Sequence, residues 1–274
     1  MGPLTGKVAL ITGAGRGVGR ATALRLAAAG ARVVINDLDE PEVLTVADEV
    51  AAAGGEALAF PGDVTAATFP DDIITAALDG FGHVDIVVNN AGYIWNGAMH
   101  NHTDDQFDAM LAVHVAAPFR LLRAWSGWLR EQAKTEIAAY GTATCRKVVN
   151  ISSVSGTEGS ATQVGYAAGK AAVVGMTKTL AKEWGRYNVT VNCIAFGHIE
   201  TRLTQGYDGD PPTIDVGGKS FRVGLSNQQI EASSRLAPLG RPGTPEDAAG
   251  AIYLLTLPES DFITGQVLTC AGGA

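Results

Sequence analysis

The sequence predicts an α/β fold in which helices cover both faces of a doubly wound parallel sheet. Short apolar runs alternate along the chain with longer segments of helical periodicity. Strands that are apolar throughout indicate a parallel sheet with both faces buried, and right-handed crossovers then give the doubly wound arrangement. The 34 glycines and the apolar content of 46% suit the tight turns and close packing of such a domain.

The elements follow in a regular order. The apolar runs are predicted as strands at 7–12, 32–37, 57–61, 85–89, 147–152, 190–195 and 265–270. The helical segments are 20–29, 41–53, 69–81, 103–132, 165–187 and 244–256. Glycine ends the first two helices, and a break is expected inside the segment 103–132.

Two stretches interrupt this alternation. Residues 134–146 are predicted to lengthen the connection before the fifth strand. Residues 202–236 are too long and polar for an ordinary loop, and form either a lid over a site or a surface insertion. Their place after the carboxyl end of a strand favours the lid, because such sheets bind ligands there. The chain shows no internal repeat and no linker, so a single domain is expected.

Charge and cysteine usage exclude several classes of protein. A formal net charge of -8 argues against a general nucleic-acid binder, which carries a basic stripe. The three cysteines are far apart and show no metal or redox spacing, which indicates reduced thiols in the cytoplasm and no metal site. We expect no signal peptide and no membrane span. The short basic clusters are interpreted as solvated faces, and comprise Arg120, Arg123, Arg130, Lys134, Arg146 and Lys147.

A glycine-rich turn joins the first strand to the first helix. Glycines at Gly13, Gly17 and Gly19 let the backbone approach a pyrophosphate, and the helix N-terminus offers free N–H groups. Many turns need glycine, so the motif alone is weak evidence. Its place in the first strand–helix turn favours a nucleotide.

Asp37 closes the second strand, where an acid can bind both ribose hydroxyls of an adenosine. The alternative is that Asp37 caps the next helix. A 2'-phosphate at about 4 Å from this carboxylate would cost roughly 4 kcal/mol per charge pair. Arg16 could partly offset that repulsion. NAD is therefore favoured over NADP.

Two further strand ends face the same side. Asp63 and Val64 follow the third strand and can meet the adenine. Asn90, Ala91 and Gly92 follow the fourth, where small residues leave room for a cofactor and amides can tie adjacent strands. A plain strand-ending turn is the alternative for this second group.

Tyr166 and Lys170 lie on one face of a helix, because residues four apart are neighbours there. An ammonium stabilises a phenolate and lowers its pKa, and Ser153 could hold a substrate oxygen. These three residues form a candidate acid/base site. The alternative is that Tyr166 and Lys170 are an exposed i,i+4 pair with no catalytic role.

These motifs together resemble the short-chain dehydrogenase/reductase family. The matching segments span nearly the whole chain, and are 12–19, 89–92, 150–153, 166–170, 191–197 and 239–247. The resemblance implies a Rossmann-type three-layer sandwich with about seven strands. It also implies a cofactor-binding part at 1–150, a catalytic and substrate part at 151–274, and hydride transfer between a nicotinamide and a carbonyl or alcohol.

The resemblance also implies residue roles. Tyr166 is the general acid/base, Lys170 lowers the pKa of Tyr166 and holds the nicotinamide ribose, and Ser153 binds the substrate oxygen. Besides the residues above, the cofactor-binding candidates are Val18, Leu38, Gly197, Ile199 and Thr201.

The chain departs from the family at His114, which takes the place of an asparagine that feeds a water-linked proton relay. Histidine can donate and accept through its two ring nitrogens, so it could serve the same relay. A core histidine bonded to backbone is an equal alternative. Phe196 also replaces a usual proline.

The expected substrate is a hydrophobic secondary alcohol or ketone. Its candidate lining residues, each of which could equally be ordinary packing, are Ile94, Trp95, Val154, Gln163 and His198. No arginine clamp is identified. Reduction of a 3-oxoacyl thioester (on acyl carrier protein or CoA) or dehydrogenation of a 3-hydroxyacyl group is the alternative, and a non-catalytic nucleotide-binding scaffold is a further one.

A homotetramer or homodimer is expected, because family members pair their two long helices. Trp125, Trp128 and Trp184 lie on these helices. They could also be core tryptophans.

Overall fold

The computed structural model describes residues 2–210, 212–216, 219–227, 230–231 and 237–273. The strands are β1 (Val8–Ile11), β2 (Arg32–Asp37), β3 (Ala57–Pro61), β4 (Ile86–Asn89), β5 (Arg146–Ser153), β6 (Val189–Phe196), β7 (Gly206–Tyr207), β8 (Thr213–Val216), β9 (Lys219–Arg222), β10 (Leu225–Ser226) and β11 (Val267–Cys270). The helices are α1 (Gly17–Ala28), α2 (Glu40–Ala52), α3 (Phe69–Phe81), α4 (Asp104–Leu111), α5 (Ala117–Tyr140), α6 (Val154–Thr157), α7 (Val164–Trp184) and α8 (Pro245–Leu254).

The central sheet has seven strands in the order β11-β6-β5-β4-β1-β2-β3. Every pairing in it is parallel. The predicted doubly wound sheet of about seven strands is confirmed. The chain winds outward in opposite directions from β1 and β4, so a crevice opens at their carboxyl ends.

Two apolar cores lie on the two faces of this sheet. Strand β1 shows how they arise: Ala9 and Ile11 point into one core and Val8 and Leu10 into the other, because side chains alternate along a strand. Helices α1, α2 and α8 supply Leu26, Val46 and Ile252 to the first core. Helices α3, α5 and α7 supply Ile73, Trp125 and Trp184 to the second. This is a three-layer sandwich.

The tryptophans of the long helices belong mainly to the core. Trp125 is 0% exposed and Trp184 is 4% exposed, and their ring centroids lie 5.8 Å apart. Trp128 is partly buried against the same core. The core alternative is therefore the observed one, and these side chains give no support for an oligomer.

Helix α5 continues further than the sequence indicated. The prediction of a lengthened connection at 134–146 was wrong, because the helix runs to Tyr140 and β5 begins at Arg146. Gly141 ends the helix with a φ of 80°, a left-handed cap that glycine adopts freely. The expected break lies at Ala112–Ala116, which form a π-helical turn.

The expectation of solvated basic faces was wrong for Arg146 and Lys147, which are 2% and 4% exposed. Arg146 binds both carboxylate oxygens of Glu136 at 3.0 and 2.6 Å. Lys147 Nζ lies 2.5 Å from the Asp261 carboxylate. Both cations stand on a strand buried along its whole length, where burial is tolerated because each charge has a partner.

The segment 202–236 carries two small sheets, a parallel pair of β7 with β10 and an antiparallel pair of β8 with β9. Leu203 and Val223 from this segment pack against Tyr93 and Trp95, which follow β4. Leu203 and Val223 therefore lie beside the loop that follows the carboxyl end of β4. The lid assignment stays a prediction, and part of 202–236 falls outside the described residues.

Candidate active site

One cavity of about 710 Å³ lies along the carboxyl ends of the strands. It brings together all the predicted catalytic and cofactor residues, and most of the predicted substrate residues. These are Gly13, Arg16, Gly17, Val18, Gly19, Asp37, Leu38, Asp63, Val64, Asn90, Ala91, Gly92, Ile94, His114, Ser153, Val154, Gln163, Tyr166, Lys170, Gly197, His198, Ile199 and Thr201. Trp95 does not line this cavity.

The glycine turn has the shape that a dinucleotide requires. Gly13 and Gly17 have φ values of 64° and 50°, which favour glycine. A Cβ added at Gly19 would lie 2.6 Å from the Asn90 side-chain amide. No side chain caps the amino end of α1, so its first N–H groups stay available to an anion. The turn therefore fits a nucleotide pyrophosphate.

Asn90 holds this turn in place. Its side-chain amide donates to the carbonyls of Thr12 and Gly13, each at 2.9 Å. The neighbouring Asn89 donates to Asn150 on β5 at 2.8 Å. The amides at the carboxyl end of β4 thus tie adjacent strands, as the sequence suggested.

Asp37 ends β2 with its carboxylate fixed by backbone. It accepts from the Gly15 N–H at 2.9 Å and from the Leu38 N–H at 2.8 Å. The residue preceding α2 is Asp39, so the capping alternative for Asp37 does not hold. Arg16 beside it forms ion pairs with Asp39 and Glu42, each at 3.0 Å.

The predicted acid/base residues meet at the middle of the cavity. Ser153 ends β5 and its hydroxyl donates to the Phe196 carbonyl at 3.3 Å. Lys170 Nζ lies 5.6 Å from the centroid of the Tyr166 ring and donates to the Ile151 carbonyl at 2.8 Å. The three side chains come from β5 and α7, which pack directly on each other.

Burial has the largest effect on the pKa values of Tyr166 and Lys170. It raises the pKa of Tyr166 to about 12, although a hydrogen bond with Ser153 works in the opposite direction. It also lowers the pKa of Lys170 to about 8. The resemblance implied a lowered pKa for the phenol, whereas here desolvation outweighs the nearby ammonium. Tyr166 is therefore a protonated phenol at neutral pH.

His114 is 2% exposed and lies in the π-helical turn. Its Nε2 donates to the Tyr93 carbonyl at 2.8 Å, and its ring meets that of Tyr166 edge to face at 5.1 Å. Nδ1 has no hydrogen-bond partner. Burial, then the charge of Lys170, lower the pKa of His114 well below its usual value, so the ring is neutral. The bond to backbone is the feature that the core-histidine alternative predicted, while the relay role stays a prediction.

The substrate end mixes apolar and polar groups. Gln163 accepts from the Ser155 hydroxyl at 2.9 Å and donates to Asn96 at 3.0 Å, forming a chain across the cavity. His198 has no hydrogen-bond partner on either ring nitrogen, and burial lowers its pKa. Ile94 and Val154 supply apolar lining.

Sequence reasoning missed Arg202, which lines the cavity. The signal was its position directly after Thr201. Trp95 instead packs beside Val223 and Leu203. No group of three or more histidine, cysteine or acidic side chains arranged to hold a metal occurs in the part of the chain that the structure describes. Within that part, too, no helix has the length and apolarity needed to cross a membrane.

The short chain dehydrogenase family model matches residues 7–211. A 3-oxoacyl-[acyl-carrier-protein] reductase from Synechocystis sp. is 35% identical, covering 100% of this chain and 98% of the relative. A (2S)-[(R)-hydroxy(phenyl)methyl]succinyl-CoA dehydrogenase subunit from Thauera aromatica is 36% identical, covering 97% and 96%.

A solved structure gives the same result. A double mutant of a Serratia marcescens short-chain dehydrogenase/reductase superposes with a TM-score of 0.82 at 29% identity. The match covers 99% of this chain and 98% of that one.

Proposed function

Because this chain belongs to the short-chain dehydrogenase family, whose members are oxidoreductases that use NAD(H) or NADP(H), we propose that it interconverts a secondary alcohol and its ketone with NAD. The observation that carries the proposal is the meeting of Ser153, Tyr166 and Lys170 in the cavity that the glycine turn opens. The division into a cofactor part at 1–150 and a catalytic part at 151–274 belongs to the same proposal.

The proposed chemistry assigns one task to each side chain. A bound nicotinamide supplies or accepts the hydride. Its high pKa keeps Tyr166 protonated, so in reduction the phenol has a proton to give to the carbonyl oxygen. Ser153 donates a hydrogen bond to that oxygen as negative charge develops on it. Lys170 keeps a positive charge beside the phenol, and so favours the phenolate left after transfer.

His114 and Lys170 support a route for that proton. A second cavity of about 20 Å³ is lined by both side chains and by Thr12 and Asn89, which is room for about one water molecule. The unpartnered Nδ1 of His114 is an acceptor, because Nε2 carries the ring proton. We therefore assign His114 to the relay as a neutral acceptor of a water hydrogen bond.

The charges around Asp37 favour NAD over NADP. A 2'-phosphate on the adenosine ribose would meet the Asp37 carboxylate at the end of β2. Arg16 could bind such a phosphate only by leaving two acids, Asp39 and Glu42. Like charges at this range repel by a few kcal/mol. The chain's own acids thus oppose NADP.

Two classes of substrate are considered: a simple hydrophobic alcohol or ketone, and an acyl thioester that carries the same group at its third carbon. The apolar lining from Ile94 and Val154 supports a hydrophobic alcohol or ketone. A 3-oxoacyl or 3-hydroxyacyl thioester is a second candidate, because the relatives from Synechocystis sp. and Thauera aromatica carry names of that kind. Both substrates present a secondary alcohol or its ketone to Tyr166.

The deciding experiment follows absorbance of reduced nicotinamide with panels of alcohols, ketones and acyl thioesters, using NAD(H) and NADP(H). We expect turnover with NAD(H), and a loss of at least about a hundredfold in Tyr166→Phe, since proton transfer contributes that much. The variant should bind NADH as the wild type does. Unchanged turnover in Tyr166→Phe would exclude the assignment, and NADH binding with no turnover by the wild type would support a scaffold.

Two coarser properties complete the proposal. A homodimer or homotetramer is proposed from the family alone, with size-exclusion chromatography and light scattering as the test. A cytoplasmic location is supported by the three free cysteines, Cys145, Cys193 and Cys270, because oxidising compartments favour disulfides.

A further inference from the structure

Arg202 differs from the other cations that line the cavity. Arg16 is held by Asp39 and Glu42, and Lys170 is buried and donates to a backbone carbonyl at 2.8 Å. Arg202 is exposed, and among the described residues no acid forms an ion pair with it. Its guanidinium is thus the cationic group of the described lining that is available to a ligand.

The turn that carries Arg202 is firmly built. Thr201 caps it, its hydroxyl accepting from the Leu203 N–H at 3.3 Å while its own N–H donates to Thr204 at 2.9 Å. Leu203 packs against Tyr93 and Trp95, and its carbonyl accepts from the Gly224 N–H at 3.0 Å. The backbone under Arg202 is therefore fixed on both sides.

Its position is next to the phosphate end of the cavity. A Cβ added at Gly17 would lie 3.4 Å from the Thr201 side chain, so Arg202 follows a residue that faces the glycine turn. The uncapped amino end of α1 lies in that turn, and favours anions. The glycine turn and Arg202 thus line one cavity.

We propose that Arg202 binds the phosphates of an organic diphosphate at the mouth of the cavity. A planar guanidinium matches phosphate oxygens with two parallel hydrogen bonds. Two molecules could supply this group: the nicotinamide cofactor through its pyrophosphate, or a coenzyme A thioester substrate. The inference rests on the proposed function, and extends it by naming a residue that selects a charged ligand.

Isothermal titration calorimetry with two probes tests the assignment. NADH is titrated into the wild type, Arg202→Gln, Arg202→Lys and Arg186→Gln, and free coenzyme A is then titrated with NADH present. Arg186 is an exposed arginine stacked on Tyr187, so its variant removes the same charge away from the cavity.

We expect Arg202→Gln to weaken one of the two ligands by at least about fivefold, Arg202→Lys by less, and Arg186→Gln not at all. Weaker NADH identifies the cofactor as the source of the phosphates, and weaker coenzyme A identifies the substrate. The difference in affinity between the wild type and Arg202→Gln should shrink as the salt concentration rises from about 0.05 to about 0.5 M, because salt screens an exposed charge. Melting temperature should not change.

Wild-type affinity of Arg202→Gln for both probes would overturn the inference, as would an equal loss in Arg186→Gln. Failure of the proposed function would give a different result from failure of this inference. It appears as a wild type that turns over no alcohol, ketone or thioester, while the coenzyme A titration still decides the role of Arg202.

Discussion

The Asp37 carboxylate accepts hydrogen bonds from three backbone N–H groups, so its direction at the end of β2 is set by the fold. We expect Asp37→Ala to raise KM for NAD about tenfold, and to shift the preference towards NADP by about tenfold or more, since a repulsive charge is removed. Steady-state kinetics with both cofactors measure this. Asp79→Ala, an exposed change on α3, is the control. Equal wild-type affinity for the two cofactors would contradict the electrostatic argument.

The Gly92 backbone lies against the His114 ring. A Cβ at Gly92 would overlap Cε1 and approach Nδ1 to 2.8 Å, so Gly92→Ala should destabilise the protein by about 1–3 kcal/mol. The double variant Gly92→Ala, His114→Ala removes the obstacle and should recover most of that stability in urea unfolding.

Gly169 provides the matched control. A Cβ there would lie 2.9 Å from the Cβ of His114, an atom that alanine keeps. Adding His114→Ala should therefore not rescue Gly169→Ala. Rescue of both glycine variants, or of neither, would show that the His114 ring does not set the space at Gly92.

The sequence predicted the residues in the middle of the cavity better than those at its edge. Ser153, Tyr166 and Lys170 sit on regular elements, so spacing along the strand and helix determines where they meet. Trp95 and Arg202 sit in loops, where spacing does not determine side-chain direction. The sequence therefore suggested Trp95 as a lining residue and overlooked Arg202.

At the scale of elements, the π-helical turn between α4 and α5 is the irregular feature. Pro118 has no N–H, so it cannot donate to the His114 carbonyl four residues earlier. Such turns occur mainly where a helix serves a site, and this one sets His114 against Tyr166. A break near this point was predictable from the proline, whereas the kind of break was not.

We expect Pro118→Ala to let this helix approach regular α geometry and withdraw His114 from Tyr166. Turnover should fall about tenfold or more, with unfolding free energy within about 1 kcal/mol of the wild type, since a helical hydrogen bond is gained. Pro70→Ala is the control, because Pro70 is a buried proline in the first turn of α3. Full activity in Pro118→Ala would separate the π turn from catalysis.

The helices and strands themselves were largely readable from pattern. The strands of this sheet are short and apolar, so their predicted ranges differ from the observed ones by a residue or two. Helix α5 was cut short because its last two turns are mostly exposed and carry no apolar stripe that faces the core. The paired strands in 202–236 are only two to four residues long, too short for a sequence pattern to distinguish them from a loop.

At the scale of the whole molecule, the Glu136–Arg146 ion pair joins α5 to the first residue of β5. Glu136→Gln should destabilise the protein by about 3 kcal/mol, because buried Arg146 loses its close counter-charge and keeps only Asp85, at 3.9 Å. Urea unfolding at neutral pH measures this. Glu131→Gln, which breaks an exposed pair with Lys134, should leave the stability almost unchanged, because water screens that pair.

The same pair has a defined pH dependence. The hydrogen bonds from Arg146 lower the pKa of Glu136 from 4.5 to about 2. A lowered pKa in the folded state stabilises the protein above the ordinary value, and that stability is lost as pH falls towards the folded value. The gap between wild type and Glu136→Gln should thus be full above pH 4.5 and narrow towards pH 2. A gap independent of pH would contradict the ion pair.

These buried charges were not foreseeable from composition. Arg146 and Lys147 stand together like a surface cluster, and their acids lie in other elements, Glu136 on α5 and Asp261 before β11. Only the packed arrangement brings the partners together.

The Asn90 amide gives both of its hydrogens to carbonyls of the glycine turn. The turn is therefore ordered by folding, before any ligand arrives. The entropy of arranging those glycines is lost once, when the chain folds, and association with a dinucleotide does not lose it again. Truncating Asn90 would move that loss from folding to binding: the protein would still recognise its cofactor, but with an affinity reduced through entropy.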